Sequence, residues 1–142
     1  MTFDNAILLP PTVLAFFTGF VFLRTASDRI NEMRTRRIHP QQVATSKMAA
    51  EKYENVQSAD NLRNLFEMPV LFYALCGFLI ITRLTTPVLL ACAWGYVALR
   101  VCHSWIHLTS NKVIRRFQVF VASSMVLFVM WGIFAVRLVT SG

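Results

Sequence analysis

Two sets of polar side chains recur at helical spacing inside stretches that are otherwise apolar. Asp60, Asn64 and Glu67 fall at i, i+4 and i+7, which is one face of a helix. Tyr96, Arg100, His103 and His107 fall at i, i+4, i+7 and i+11, again one face. Ionisable groups inside lipid are costly, so they mark a functional site by default. A Glu/Asn face and an Arg/His/Tyr face at one depth would line a polar, water-accessible pocket between helices. The plainer reading is a buried Glu67–Arg100 ion pair that fixes helix register, and both roles can hold together. His103 and His107 have the i, i+4 spacing of a chelating pair. No third Cys or carboxylate stands at a matching spacing, so no metal is expected. Cys76, Cys92 and Cys102 lie in apolar stretches and read as small buried hydrophobes, not as a redox or disulfide motif. The chain has no Walker loop, nucleophile elbow or Gly-rich dinucleotide turn.

The elements that must position these residues are set by where charge is absent. Residues 5–23, 68–82, 84–99 and 117–136 carry no charge. About 20 apolar residues in helix cross a hydrocarbon layer roughly 30 Å thick. The first, third and fourth stretches meet that length, the third by running on past Arg100 to about Leu108. The second meets it if Asn64 and Glu67 belong to the span. Barrel strands would alternate, and these runs do not. The composition agrees: 142 residues, 56% hydrophobic and 15% charged, with mean hydropathy +0.53. Soluble domains are about 45–50% apolar and about 25% charged. Five Gly, five Pro and three Cys exclude collagen-like and disulfide-scaffold classes. The expectation is all-α: an integral membrane four-helix bundle, up-down-up-down, forming one domain over residues 1–142. Its helices are expected at about 5–37, 59–82, 86–108 and 116–139, with a polar connection at about 38–58. Pro69, inside the second helix, predicts a local distortion of its backbone.

Net charge +7 would suggest a nucleic-acid partner on a soluble protein. Its distribution says otherwise. Eight Lys/Arg lie between residues 24 and 63, and Lys112, Arg115 and Arg116 follow the third span. The opposite side has Arg83 and Arg137. Eleven against two is a positive-inside pattern. It predicts both termini outside and segments 24–63 and 109–116 in the cytoplasm, with contact to membrane lipid and no nucleic acid. The N-terminus lacks the basic start of a signal peptide, Asp4 being its only charge, and reads as a retained first helix.

Three local motifs carry a family resemblance: Asn64-Leu65-Phe66-Glu67-Met68-Pro69, Arg100-Val101-Cys102-His103-Ser104, and the Asn111–Phe117 run, ending Arg115-Arg116-Phe117. With the length and four spans, they resemble the MAPEG superfamily, membrane-associated proteins in eicosanoid and glutathione metabolism. Residues 61–75 are similar to bacterial members, which implies a bacterial inner membrane. The resemblance implies a homotrimer with glutathione bound at each subunit interface, near the cytoplasmic side. Carried over by position, Asn64, Glu67, Arg63, Tyr96, Arg100, His103 and His107 would hold glutathione. Arg116 would stand beside its sulfur as the catalytic residue. The implied activity is a glutathione-dependent transferase or peroxidase acting on lipophilic electrophiles or lipid hydroperoxides. A non-enzymatic family member implies the alternative, a non-catalytic lipid-binding or scaffold trimer. This chain departs from eukaryotic members at three pocket positions. Glu67 and Pro69 are one residue closer together, Asp60 stands where those members have Arg, and His107 stands where they have Tyr.

Overall fold

The computed structural model describes residues 3–54 and 56–140; the extreme ends of the expected 1–142 domain lie outside them. One turn of helix, α1 (Phe3–Ala6), leads into α2 (Leu9–Thr35). A single 3-10 turn (Pro40–Val43) and a short α3 (Ser46–Lys52) form the polar connection. Then follow α4 (Gln57–Thr82), α5 (Pro87–Leu108) and α6 (Val113–Thr140). Four of these helices are long and apolar enough to cross a membrane, and no strand occurs among the described residues. At about 1.5 Å per residue, even the shortest of them, 22 residues, spans about 33 Å.

Local sequence sets the ends. Pro10 and Pro11 occupy the first turn of α2, where a missing N–H leaves nothing unpaired. Thr86 caps α5 by accepting from the Leu89 N–H at 3.2 Å, with Pro87 at the first helical position. Arg83, at φ 55°, closes α4 in the left-handed conformation while the Leu84 N–H reaches back to the Leu79 carbonyl. The helices that flank these short turns run antiparallel. Pro69 lies inside α4 and the helix continues through it to Thr82.

One apolar core runs through the bundle, with Leu14 and Val21 of α2, Leu65, Phe72, Leu75 and Leu79 of α4, Leu89 and Ala93 of α5, and Leu127 and Met130 of α6. Phe72 and Tyr96 meet there, ring centroids 4.5 Å apart. Thr25 binds α2 to the start of α4, its hydroxyl donating to the Ser58 carbonyl at 3.0 Å. The outside is as apolar as the inside: Phe16 is 79% exposed, and Phe20, Phe66, Trp105, Phe117 and Phe128 are exposed too. Such a surface suits hydrocarbon, not water. Cys76 is buried as expected, but Cys92 is only half-buried and Cys102 is exposed. The spacing explains this: residue 102 falls between the core positions Arg100, His103 and Ser104.

Apolar side chains gain no hydrophobic energy by leaving lipid, so packing contacts and hydrogen bonds hold the helices together. Phe72→Ala should therefore cost about 2–4 kcal/mol through the cavity it leaves against Tyr96. Val139→Ala, at an exposed position, should stay within about 0.5 kcal/mol. Thermal unfolding in a mild detergent measures both.

Candidate functional site

The α5 stripe points inward along its whole length. Tyr96, Arg100, His103 and His107 are all buried, Arg100 completely. Its guanidinium is held at two points, with Nη2 donating to the Asn64 carbonyl of α4 at 2.6 Å and the head lying 5.8 Å from the Phe120 ring centroid. Pro69 has no N–H to offer the carbonyl four residues before it, that of Leu65, the residue next to the one Arg100 holds. The expected Glu67–Arg100 ion pair does not form. Glu67 is exposed on the flank of α4, and Arg100 takes a backbone carbonyl instead. Two of its donors, Nε and Nη1, are buried with no partner, as are the Tyr96 hydroxyl and His103 Nε2.

The α4 stripe divides. Asp60, Arg63 and Glu67 are exposed and Asn64 is half-buried, its amide donating to the Asp60 carbonyl within its own helix at 3.0 Å. Asn61 is the polar residue that enters the interior. It is fully buried, and neither atom of its amide has a partner. It shares the core spacing of Leu65 and Phe72, one position round the helix from the Asp60, Asn64 and Glu67 face. The two stripes meet at one point, Arg100 on Asn64, and otherwise face different directions.

A second assembly forms at the α5–α6 turn. Arg116 Nη1 donates to Asn111 Oδ1 at 2.7 Å and contacts His107 Nε2 at 3.1 Å. A guanidinium only donates, so His107 must present a lone pair at Nε2 and carry its proton on Nδ1. His103 Nδ1 lies 3.1 Å from the Arg116 carbonyl. A carbonyl only accepts, so this histidine donates from Nδ1. Each ring nitrogen that makes a contact is thus committed to Arg116, and among the described residues no group of three His, Cys, Asp or Glu is placed to hold a metal. Asn111 was not among the expected site residues. Its signal is the turn itself, because it adopts φ 45°, a left-handed conformation that Asn tolerates better than most residues. Its N–H closes the end of α5 on the Ile106 carbonyl at 2.8 Å. Arg115, the neighbouring arginine, is exposed.

The chemistry available is anion binding. Arg100 and Arg116 bring two permanent positive charges to one end of α5, and no carboxylate faces them at ion-pair distance among the described residues. Residues 7–136 match the MAPEG family. The chain belongs to that family. Membership supports a glutathione-related function in a membrane in general terms. Searches of curated proteins and of solved structures gave no match.

The Asn111 contact can be separated from the turn it occupies. Asn111→Gly keeps the left-handed backbone accessible and removes only Oδ1, so it should cost about 1 kcal/mol. Asn111→Ala adds backbone strain and should cost more. Thermal unfolding of the two variants side by side separates the terms: the loss in Asn111→Gly measures the side-chain contact, no loss there would show that Oδ1 contributes nothing, and equal losses in both would show that the left-handed turn adds no strain for Ala.

Proposed function

We propose that this MAPEG protein is a membrane-bound glutathione-dependent transferase or peroxidase acting on lipophilic electrophiles or lipid hydroperoxides. The observation that carries the reading is Arg100, fully buried with two donors unpartnered. A buried charge with unmet hydrogen bonds costs several kcal/mol unless an acceptor arrives. A tripeptide with two carboxylates supplies such acceptors. Tyr96 and His103, also with buried unpartnered atoms, are the polar neighbours on the same face. Asn64, Arg63 and Glu67 lie toward the outer flank of α4, which favours a site completed by a second copy. Glu67 suits the ammonium group of glutathione. A homotrimer, with the polar connection and the α5–α6 turn on the cytoplasmic side and both termini outside, fits this arrangement and the positive-inside count.

Arg116 is the residue placed to act on the sulfur. A free thiol has a pKa of about 8.5, and the thiolate is the nucleophile. A guanidinium nearby favours the anion, by about 1.4 kcal/mol per tenfold shift in ionisation. His107 and Asn111 both bind Nη1 of Arg116, which orients the guanidinium before the substrate binds and leaves Nη2 and Nε for other contacts. His107 does this where eukaryotic members have Tyr. The second substrate would come from the bilayer, since the faces beside the site are apolar.

Titrating glutathione into the detergent-solubilised protein should produce the ultraviolet band of a thiolate. Arg116→Ala should abolish that band while leaving binding within about threefold. Arg116→Lys should restore it in part, because the charge returns without the fork. Absence of both binding and a thiolate band at millimolar glutathione would refute the reading. Glu67→Gln should weaken binding about tenfold by calorimetry with little effect on the band of the saturated protein. An unchanged affinity would remove Glu67 from the site.

A further inference from the structure

A cavity of about 840 Å³ lies away from Arg100, the histidines and Arg116, between the polar-side halves of α2 and α4 and beneath the connection that joins them. Its size is in the range of sites for small molecules. Its floor is helical and its roof is the segment 43–50, with Tyr53 at one end. The roof is fastened at its far end. Arg36 Nη1 donates to Glu32 Oε1 at 3.0 Å and to the Lys52 carbonyl at 2.8 Å, and Nη2 reaches Glu54 at 3.2 Å. The Glu54 N–H donates to Glu32 at 2.7 Å.

The lining is ordered along the membrane normal. On α2, Phe22 precedes Arg29 by seven residues, about 10 Å toward the membrane interior. On α4, which runs the other way, Phe66 follows Arg63 by three residues, about 4–5 Å in the same direction. Both aromatics are exposed and both line the cavity, as do both arginines. Lys47 adds a third cation from the roof, against Asp60 as the one carboxylate. Arg29 lies 5.5 Å over the Tyr53 ring, a contact that leaves its charge uncancelled. The two antiparallel helices therefore give the cavity one polarity, apolar toward the hydrocarbon and cationic toward the polar side.

We propose that this cavity binds an acidic membrane lipid, with its acyl chain between Phe22 and Phe66 and its anionic headgroup among Arg29, Lys47 and Arg63. A zwitterionic lipid fills the apolar half but brings to Arg29, Lys47 and Arg63 a headgroup whose ammonium they repel. A free anion satisfies the cations alone. The gradient on both helices calls for a molecule that carries both parts in that order. Juxtamembrane Lys and Arg favour an anionic surface, a preference that grows when three converge on one headgroup.

The test is native mass spectrometry of the full chain, extracted in mild detergent without glutathione and given phosphatidylglycerol or phosphatidylcholine with matched acyl chains. Phosphatidylglycerol should be retained at least about fivefold more. Arg29→Gln with Lys47→Gln should remove most of that preference. Ala50→Trp, which fills the cavity from the roof without changing charge, should lower retention of phosphatidylglycerol by a similar factor. Helical content and melting of both variants establish that they are folded. Equal retention of the two lipids by the unaltered protein would overturn the proposal, as would full retention by Ala50→Trp. Displacement of the lipid by soluble glycerol phosphate would assign the cations to a free anion and overturn it too. Arg63 borders both this cavity and the flank of α4 assigned above to glutathione and is left unaltered in these variants; every measurement is made without glutathione, so failure here leaves the function proposed above untouched.

Discussion

A single hydrogen bond organises the interior: Arg100 Nη2 on the carbonyl of Asn64, 2.6 Å across the α4–α5 interface. A guanidinium that is completely buried must be met by acceptors or it destabilises the fold by several kcal/mol. The chain offers one carbonyl and the face of Phe120 and leaves two donors over. The bond ties α5 to α4 one residue from the Leu65 carbonyl, which Pro69 leaves without its helical donor. The same residue is thus a strut between α4 and α5 and, in the function proposed above, the group whose spare donors meet the ligand.

The distribution of apolar side chains carries a different message. Phenylalanines and tryptophan cover the outer surface while Asn61 of α4 and Arg100, His103, Ser104 and His107 of α5 are buried inside. In water this arrangement would expose far more apolar surface than a monomer tolerates. In hydrocarbon it costs nothing, and the polar interior becomes the expensive part. Packing quality around Phe72, Tyr96 and Leu127 then decides the fold, because solvent no longer drives those contacts together.

Much of this was legible in the residues. Charge-free stretches of the right length located the four long helices, and the i, i+4, i+7 spacing of Tyr96, Arg100, His103 and His107 placed all four on one buried face. Lipid made these signals strong, since few sequences other than helices satisfy it. Three features were not legible. Glu67 looked like the partner of Arg100 because both are charged, yet helical phase turns it outward and a main-chain carbonyl has no sequence signature. Asn61 entered the core at a spacing shared with leucines, and periodicity does not distinguish an amide from an apolar side chain. Asn111 acts through a side chain whose role depends on a left-handed turn, which is set by backbone dihedral angles and not by residue type alone.

Surface connections between helices usually absorb insertions with little effect. The α5–α6 turn is an exception by construction. Asn111 closes α5 through its N–H and holds Arg116 through its side chain, so four residues of connection set the angular position of a guanidinium. One added residue between Asn111 and Arg116 would change the spacing that brings their side chains together at 2.7 Å and loosen the contact with His107. The length of this loop is therefore as much a constraint on where Arg116 points as the identity of the side chains around it.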